Sequence, residues 1–438
     1  MMLAGTAKID ITPTREVWMD GMIRSHRSEG VHDPLFARAL VLANSREPRD
    51  MFAIVSVDVC LLSAADSGAS RQGVAGQVGI PTQQTIIATT HTHSGPATIG
   101  HFNPPEAEYS HGLAQRLAAL VAQAAGNLEP VAVGVASGRE DTISHYRRLL
   151  ADDGHVVMNW EPYPPEHIVG PLGEADTEVG VLKVTAAEDP QQVKCILFNH
   201  AGHPNIMSGD NYLLSADYPG AAARLLEQEW GALAMFVNGA QGTMDIDGLR
   251  HRDWEGLERA GAALAQAVSE TARAAVPTPD VRLRSGAVGY TVPARTITDE
   301  EWAWAQEILR RSGGKVQPLA DGVGDDYLAV LYRDLRRVQG QEVPIEQICL
   351  AVGDAAFITF PGELYTEIGM QIKARSRFAR TYIIGLANGE VGYVPTRKAI
   401  SEGGYAENVR RLDDAAEEIV VGRSLALLET MHGSSPEE

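Results

Sequence analysis

The run TIIATTHTHSGP, residues 85–96, passes in one step from a continuous apolar stretch to a histidine-bearing segment closed by glycine and proline. Its first half is short and rich in β-branched residues and shows no polar alternation, the pattern of a strand buried on both faces. Outward from it, the same two-part construction recurs. KCILFN at 194–199 runs into His200-Ala201-Gly202-His203-Pro204, and ALAMFVN at 232–238 into Gly239-Ala240-Gln241-Gly242-Thr243-Met244-Asp245. AAFITF at 355–360 runs into Pro361-Gly362-Glu363, and TYIIGLAN at 381–388 into Gly389-Glu390-Val391-Gly392-Tyr393. FAIVSVDV at 52–59 is a further strand of this kind.

Between these runs the apolar period changes to that of helices, at 215–229, where Ser215 is placed to cap, and at 254–275. Alternating strands and helices predict an α/β fold, with central mixed β-sheets flanked by helices. In such sheets ligands bind beyond the carboxyl ends of the strands, so five polar motifs at five strand ends should meet in one crevice. Residues 296–340 read as a helical insertion, TITDEEWAWAQEILRR followed by a Gly-rich turn and a second helix, either a lid over the site or a surface excursion. Trp302 and Trp304 in it are candidates for contributing to a substrate surface. Residues 1–432 are expected to form one catalytic domain and 433–438 a flexible tail, with no internal repeat.

Composition narrows the function. Of 438 residues, 44% are hydrophobic and 21% charged, as in a folded globular protein. The formal charge of −20 repels nucleic acid and anionic membrane surfaces, which leaves a small molecule as the expected partner; self-association is compatible with the sequence. No apolar run reaches the roughly 18 residues of a membrane span, and MMLAGTAKIDITP lacks the features of a secretory signal, so the expected location is cytoplasmic. Cys60, Cys195 and Cys349 each sit within an apolar run and read as buried thiols.

A catalytic zinc takes few protein ligands and keeps one position open, and two histidines from separate strand ends with a carboxylate would supply it. Each piece alone has a plainer reading. His91 and His93 share one face of an extended segment, yet loop hydrogen bonding explains them as well. His200 and His203 are one ligand and one supporting partner, or simply loop residues. Glu363 can be a turn or helix-start carboxylate, and Tyr393 a core aromatic. Their joint occurrence at strand ends is what favours a site.

With GTAKIDITP at the start, then HDPLFARALVL, SVDV, THTHSGP, HP, SADYPG, PGELYTEIG and GYVPT in order, the chain resembles the catalytic domain of the neutral ceramidases, zinc-dependent amidases that cleave the N-acyl bond of ceramide. The resemblance implies one Zn²⁺ per chain, held by His91, His203, Glu363 and Tyr393. It also implies a substrate-facing His93, a second tyrosine, Tyr405, near the reacting carbonyl, a substrate-binding Arg147 and a Gly21 lining the pocket entrance. Thr243 falls where the family carries a catalytic serine. The family's C-terminal immunoglobulin-like domain has no counterpart in these residues. The expected activity is amide hydrolysis by metal-activated water or hydroxyl attack. Its rivals are a metal-dependent cytoplasmic enzyme acting on a soluble polar compound such as a sugar derivative, and a non-catalytic metal-binding homologue.

Overall fold

Three times along the chain, three successive antiparallel strands are followed by a helix, a fourth strand parallel to the third, and a closing helix. The computed structural model, which describes residues 1–246, 250 and 252–433, forms the first unit from β1 (Leu3–Asp10), β2 (Phe36–Ala43), β3 (Met51–Val57), α1 (Ala64–Val78), β4 (Thr85–Thr89) and α2 (Ala107–Gly126). The second unit is β5 (Glu129–Arg139), β6 (Glu178–Ala186), β7 (Val193–His200), α3 (Asp217–Trp230), β8 (Leu233–Asn238) and α4 (Trp254–Ala274). In the third unit β9 (Leu283–Pro293) is followed by α5 (Asp299–Ser312) and α6 (Asp325–Val338). The pattern then resumes with β10 (Glu342–Val352), β11 (Ala355–Thr359), α7 (Thr366–Arg375), β12 (Arg380–Ile384) and α8 (Ala416–Gly433). The absence of a repeat in the sequence therefore does not extend to the topology. A buried strand demands only apolar character, which many residue combinations satisfy.

The first two units join through Leu3 opposite Pro130 and Ala4 opposite Glu129 into one sheet ordered β8-β7-β6-β5-β1-β2-β3-β4. The third unit is a separate sheet, β9-β10-β11-β12, packed on its inner face. Leu40, Leu42, Ile54, Leu182 and Leu197 from the large sheet meet Ile348, Leu350, Phe357 and Ile384 from the small one. Helices α1 and α2 cover the outer face of the first unit, and α3 and α4 that of the second. The outer face of the small sheet is covered by α5 to α8. Four layers result, helix, sheet, sheet, helix, which is why the central strands read as unbroken apolar runs: every residue of β3 and β4 is buried.

The six strands expected from those runs form; four end one to four residues earlier, one ends as expected, and β7 runs one residue further, to His200. Helix α3 starts at Asp217, and the Ser215 hydroxyl accepts the Asp217 amide at 3.0 Å. The three cysteines are buried and free. The insertion at 296–340 is helical; Thr298 and Glu301 form a capping box on α5. Trp304 packs on Tyr332 and Trp302 under Arg336, within the insertion itself and away from the cavity described below. Gly433 is the last residue of α8, and the rest of the expected tail lies outside the described residues. Among the described residues no helix is long and apolar enough to cross a membrane.

Candidate metal centre and active site

In each unit the first, third and fourth strands run the same way, so their carboxyl ends lie at one edge. The three units bring these edges together: Gly385 donates to Asn238 O, Leu386 to Gly362 O and Thr89 to Leu386 O, at 2.9 to 3.2 Å. The crevice expected from the sequence is thus built, by two packed sheets in place of one open one. The long connection after the first strand of each unit roofs it. These connections contribute Gly21 and Met22 from the first unit, Arg147 and Trp160 from the second, and Asp321 and Gly322 from the third.

His91 follows β4 in a left-handed conformation, φ 70°, which a β-branched or bulky side chain resists and which concentrates at functional sites. Its Nδ1 faces Cys60 O at 3.1 Å, so Nδ1 carries the proton and Nε2 is a lone pair. His203, after β7, faces Gln241 O with Nδ1 at 3.3 Å, which fixes the same tautomer. The two Nε2 atoms point at each other across 3.3 Å. Glu363 Oε2 lies 3.4 Å from each, is buried and has no hydrogen-bond partner of good geometry among the described residues. The Tyr393 hydroxyl is 3.3 Å from His203 Nε2. A two-residue parallel ladder pairs Glu363 directly with Tyr393, which sets these donors side by side.

Two inward lone pairs and an orphaned carboxylate oxygen cannot satisfy one another by hydrogen bonds, and a cation resolves the conflict. Donors held about 2.0–2.1 Å from a common centre in a tetrahedron stand about 3.3–3.4 Å apart, which these separations match. Against the opposing effect of burial on both groups, Glu363 raises the His91 ring and is itself lowered well below the ordinary carboxylate range: the carboxylate draws a cation into the space between the donors, a proton where no metal is bound. His91, His203 and Glu363 together can hold a metal ion, with Tyr393 beside them.

Around this centre the cavity is lined by Gly21, Met22, His93, Arg147, Trp160, Asn205, Asp245, Asp321 and Tyr405 together with His203 and Tyr393. His93 Nε2 lies 3.3 Å from His91 Nε2, while its Nδ1 is buried without a partner. Arg24 anchors the His93 backbone, donating to the carbonyls of Asp20, His93 and Asn211 at 2.8 to 2.9 Å. The Arg147 guanidinium sits 5.0 Å from the Tyr393 ring, 5.3 Å from Trp160 and 5.7 Å from Tyr405, with one terminal nitrogen unpartnered. Burial pushes the Tyr405 phenol up, keeping it a proton donor.

Thr243 does not join them. Its hydroxyl accepts the Thr366 amide and donates to Glu367 Oε2, both at 3.1 Å, and it does not line the cavity. His200 also turns away, its Nδ1 on Glu178 O at 3.2 Å. Sequence reading missed Trp160, Asn205, Asp245 and Asp321. Asp245 ends the polar run after β8 and was within reach of the strand-end argument; the others lie in connections without periodicity.

Residues 2–242, more than half of the chain, match the family model for the N-terminal part of neutral/alkaline non-lysosomal ceramidase. That span includes His91, His93, Arg147 and His203. Among solved structures the chain is similar to the neutral ceramidase from Pseudomonas aeruginosa, with a TM-score of 0.74 and 17% identity over 100% of this chain and 75% of that one. It is likewise similar to a ceramidase complexed with C2, with a TM-score of 0.75 and 17% identity over 100% of this chain and 76% of that one. These likenesses carry the same fold across Glu363, Tyr393 and Tyr405. The chain belongs to the neutral/alkaline non-lysosomal ceramidase family, whose reaction class is hydrolysis.

Proposed function

We propose that the chain is a zinc-dependent amidohydrolase that cleaves an N-acyl bond. The observation that carries this reading is the convergence of His91 Nε2, His203 Nε2 and Glu363 Oε2, mutually 3.3 to 3.4 Å apart, beside an Arg147 guanidinium with one nitrogen unpartnered among the described residues. Two imidazoles, a carboxylate and a phenol suit zinc, which supplies Lewis acidity toward a carbonyl oxygen and toward water.

The chain's own residues supply the rest. Arg147, a buried cation with an N–H that has no partner among the described residues, holds the carbonyl oxygen and afterwards the product carboxylate. Tyr405 donates to the developing oxyanion, a preorganised contact of the kind whose removal costs about 100-fold or more in rate. His93, with one nitrogen toward the centre and the other unpartnered, takes the proton from water and returns it to the leaving nitrogen. Thr243 positions the start of α7 through its bond to the Thr366 amide.

Metal analysis of the purified chain beside His91→Ala and His203→Ala, with an amide hydrolysis assay on each, tests this. About one zinc per wild-type chain, lost with activity in both variants, is the expected result. Amide hydrolysis that survives removal of the metal would overturn it.

A further inference from the structure

The inner part of the cavity, bounded by Gly21, His93, Arg147, His203 and Tyr393, has a volume of only about 30 Å³. A water needs about 10–15 Å³ on that measure, so the space accepts a group of a few heavy atoms. Beyond it lies a chamber of about 680 Å³. Trp160, Tyr405, Asp321 and Gly322 line both and form the neck between them. The indole of Trp160 stands edge-on to Tyr405 at 5.5 Å, and Gly322, φ +68°, brings backbone so close that a Cβ there would lie 3.3 Å from Trp160 Nε1.

Charge divides the two spaces as size does. The inner part holds Arg147 with an unpartnered nitrogen; Asp245 borders it without forming an ion pair to Arg147 among the described residues. The outer chamber carries the carboxylate of Glu161 and the amide of Asn408 among aliphatic side chains such as Met158, Leu319 and Leu328; Asp321 at the neck is paired with Arg252, and among the described residues no cation lines the chamber. Hydrolysis adds water across the bond, RCO–NH–R′ + H₂O → RCOO⁻ + ⁺H₃N–R′: the C–N bond breaks, a C–O bond forms, and the proton leaves on the amine. The carboxylate product matches Arg147, and the ammonium product matches the Glu161 carboxylate.

We propose that the site selects amides with a short acyl group, bound in the inner part against Arg147, and a bulky hydroxylated or amino-bearing half in the outer chamber, with Trp160 setting the permitted acyl length. This rests on the amidohydrolase reading given above. Trp160 and Tyr405 beside the Glu161 carboxylate and the Asn408 amide suit the hydroxyl and amino groups of that half, and the aliphatic side chains of the chamber its carbon skeleton.

The test uses the zinc-loaded full chain and amides of one amino sugar or amino alcohol carrying acetyl, butyryl, octanoyl or palmitoyl groups. We expect kcat/KM to fall by about 100-fold from acetyl to octanoyl, as an overfilled pocket of fixed shape requires. Trp160→Ala should narrow that ratio to about tenfold or less, and Trp160→Phe should leave it near the wild-type value. Octanoyl or palmitoyl substrates cleaved as well as acetyl by the wild type would overturn the inference while leaving the amidohydrolase reading intact. Failure to cleave any member, with zinc bound, would overturn that reading and this inference with it.

Discussion

His91 and His203 face each other through Nε2 atoms 3.3 Å apart, and both rings are fixed in that orientation by an Nδ1 proton committed to a backbone carbonyl. With both rings neutral, neither nitrogen can donate to the other, and the apoprotein holds an electrostatic conflict that Glu363 relieves only by drawing a cation between them.

That conflict makes the fold sensitive to metal. Zinc at about 100 times its dissociation constant should stabilise the chain by about 2.7 kcal/mol, read as a rise in Tm. Glu363→Gln removes the carboxylate and should abolish the zinc-dependent rise while leaving the apoprotein as stable as the wild type or more so. An unchanged zinc response in this variant would show that Glu363 is not a ligand.

Gly21 adopts φ +81°, and a Cβ on it would lie 2.4 Å from His93 Cγ. Gly21→Ala therefore combines backbone strain of about 1–3 kcal/mol with displacement of His93. The expected outcome is a loss of turnover of about 100-fold with zinc content retained, since a shift near 1 Å in a reacting group has that effect. Full activity in this variant would mean that His93 is free to move.

The Thr243 hydroxyl is already committed to the Thr366 amide and to Glu367. Thr243→Val leaves that buried amide unpaired and should cost about 1–3 kcal/mol in urea unfolding. Zinc binding should be retained, and turnover per folded molecule should stay within about tenfold of the wild type. A much larger loss of turnover at full zinc content would put this hydroxyl in the reaction.

Asp217 is buried at the start of α3, accepts the amides of Tyr218 and Ile206, and is pushed up to about 7 chiefly by desolvation. Because its folded value exceeds the ordinary aspartate value of about 3.9, the native state binds the extra proton between the two. Its contribution is therefore complete at acid pH and is lost as pH rises toward 7, with a slope of about 1.4 kcal/mol per pH unit. Asp217→Asn carries no such charge, so the stability difference between variant and wild type should move in favour of Asn from pH 5 to pH 7. A difference independent of pH would show that Asp217 is ionised throughout.

The sequence by itself determined the strands and the ends at which chemistry gathers. A strand buried on both faces must be apolar along its whole length, and the break to His91, His203, Glu363 or Tyr393 marks where it leaves the core. Tertiary structure decided the rest. That the crevice lies between two packed sheets follows from how the units pair, through contacts such as Leu3 opposite Pro130, which no local pattern encodes. Which of His200 and His203 turns inward was set by backbone carbonyls: Gln241 O orients His203, and Glu178 O draws His200 away. Trp160 and Asp321 reached the cavity through long connections whose course depends on packing against distant segments, as where Leu319 bonds to Ile23. Side chains in such connections carry no periodicity, so their place in the site is a property of the assembled fold.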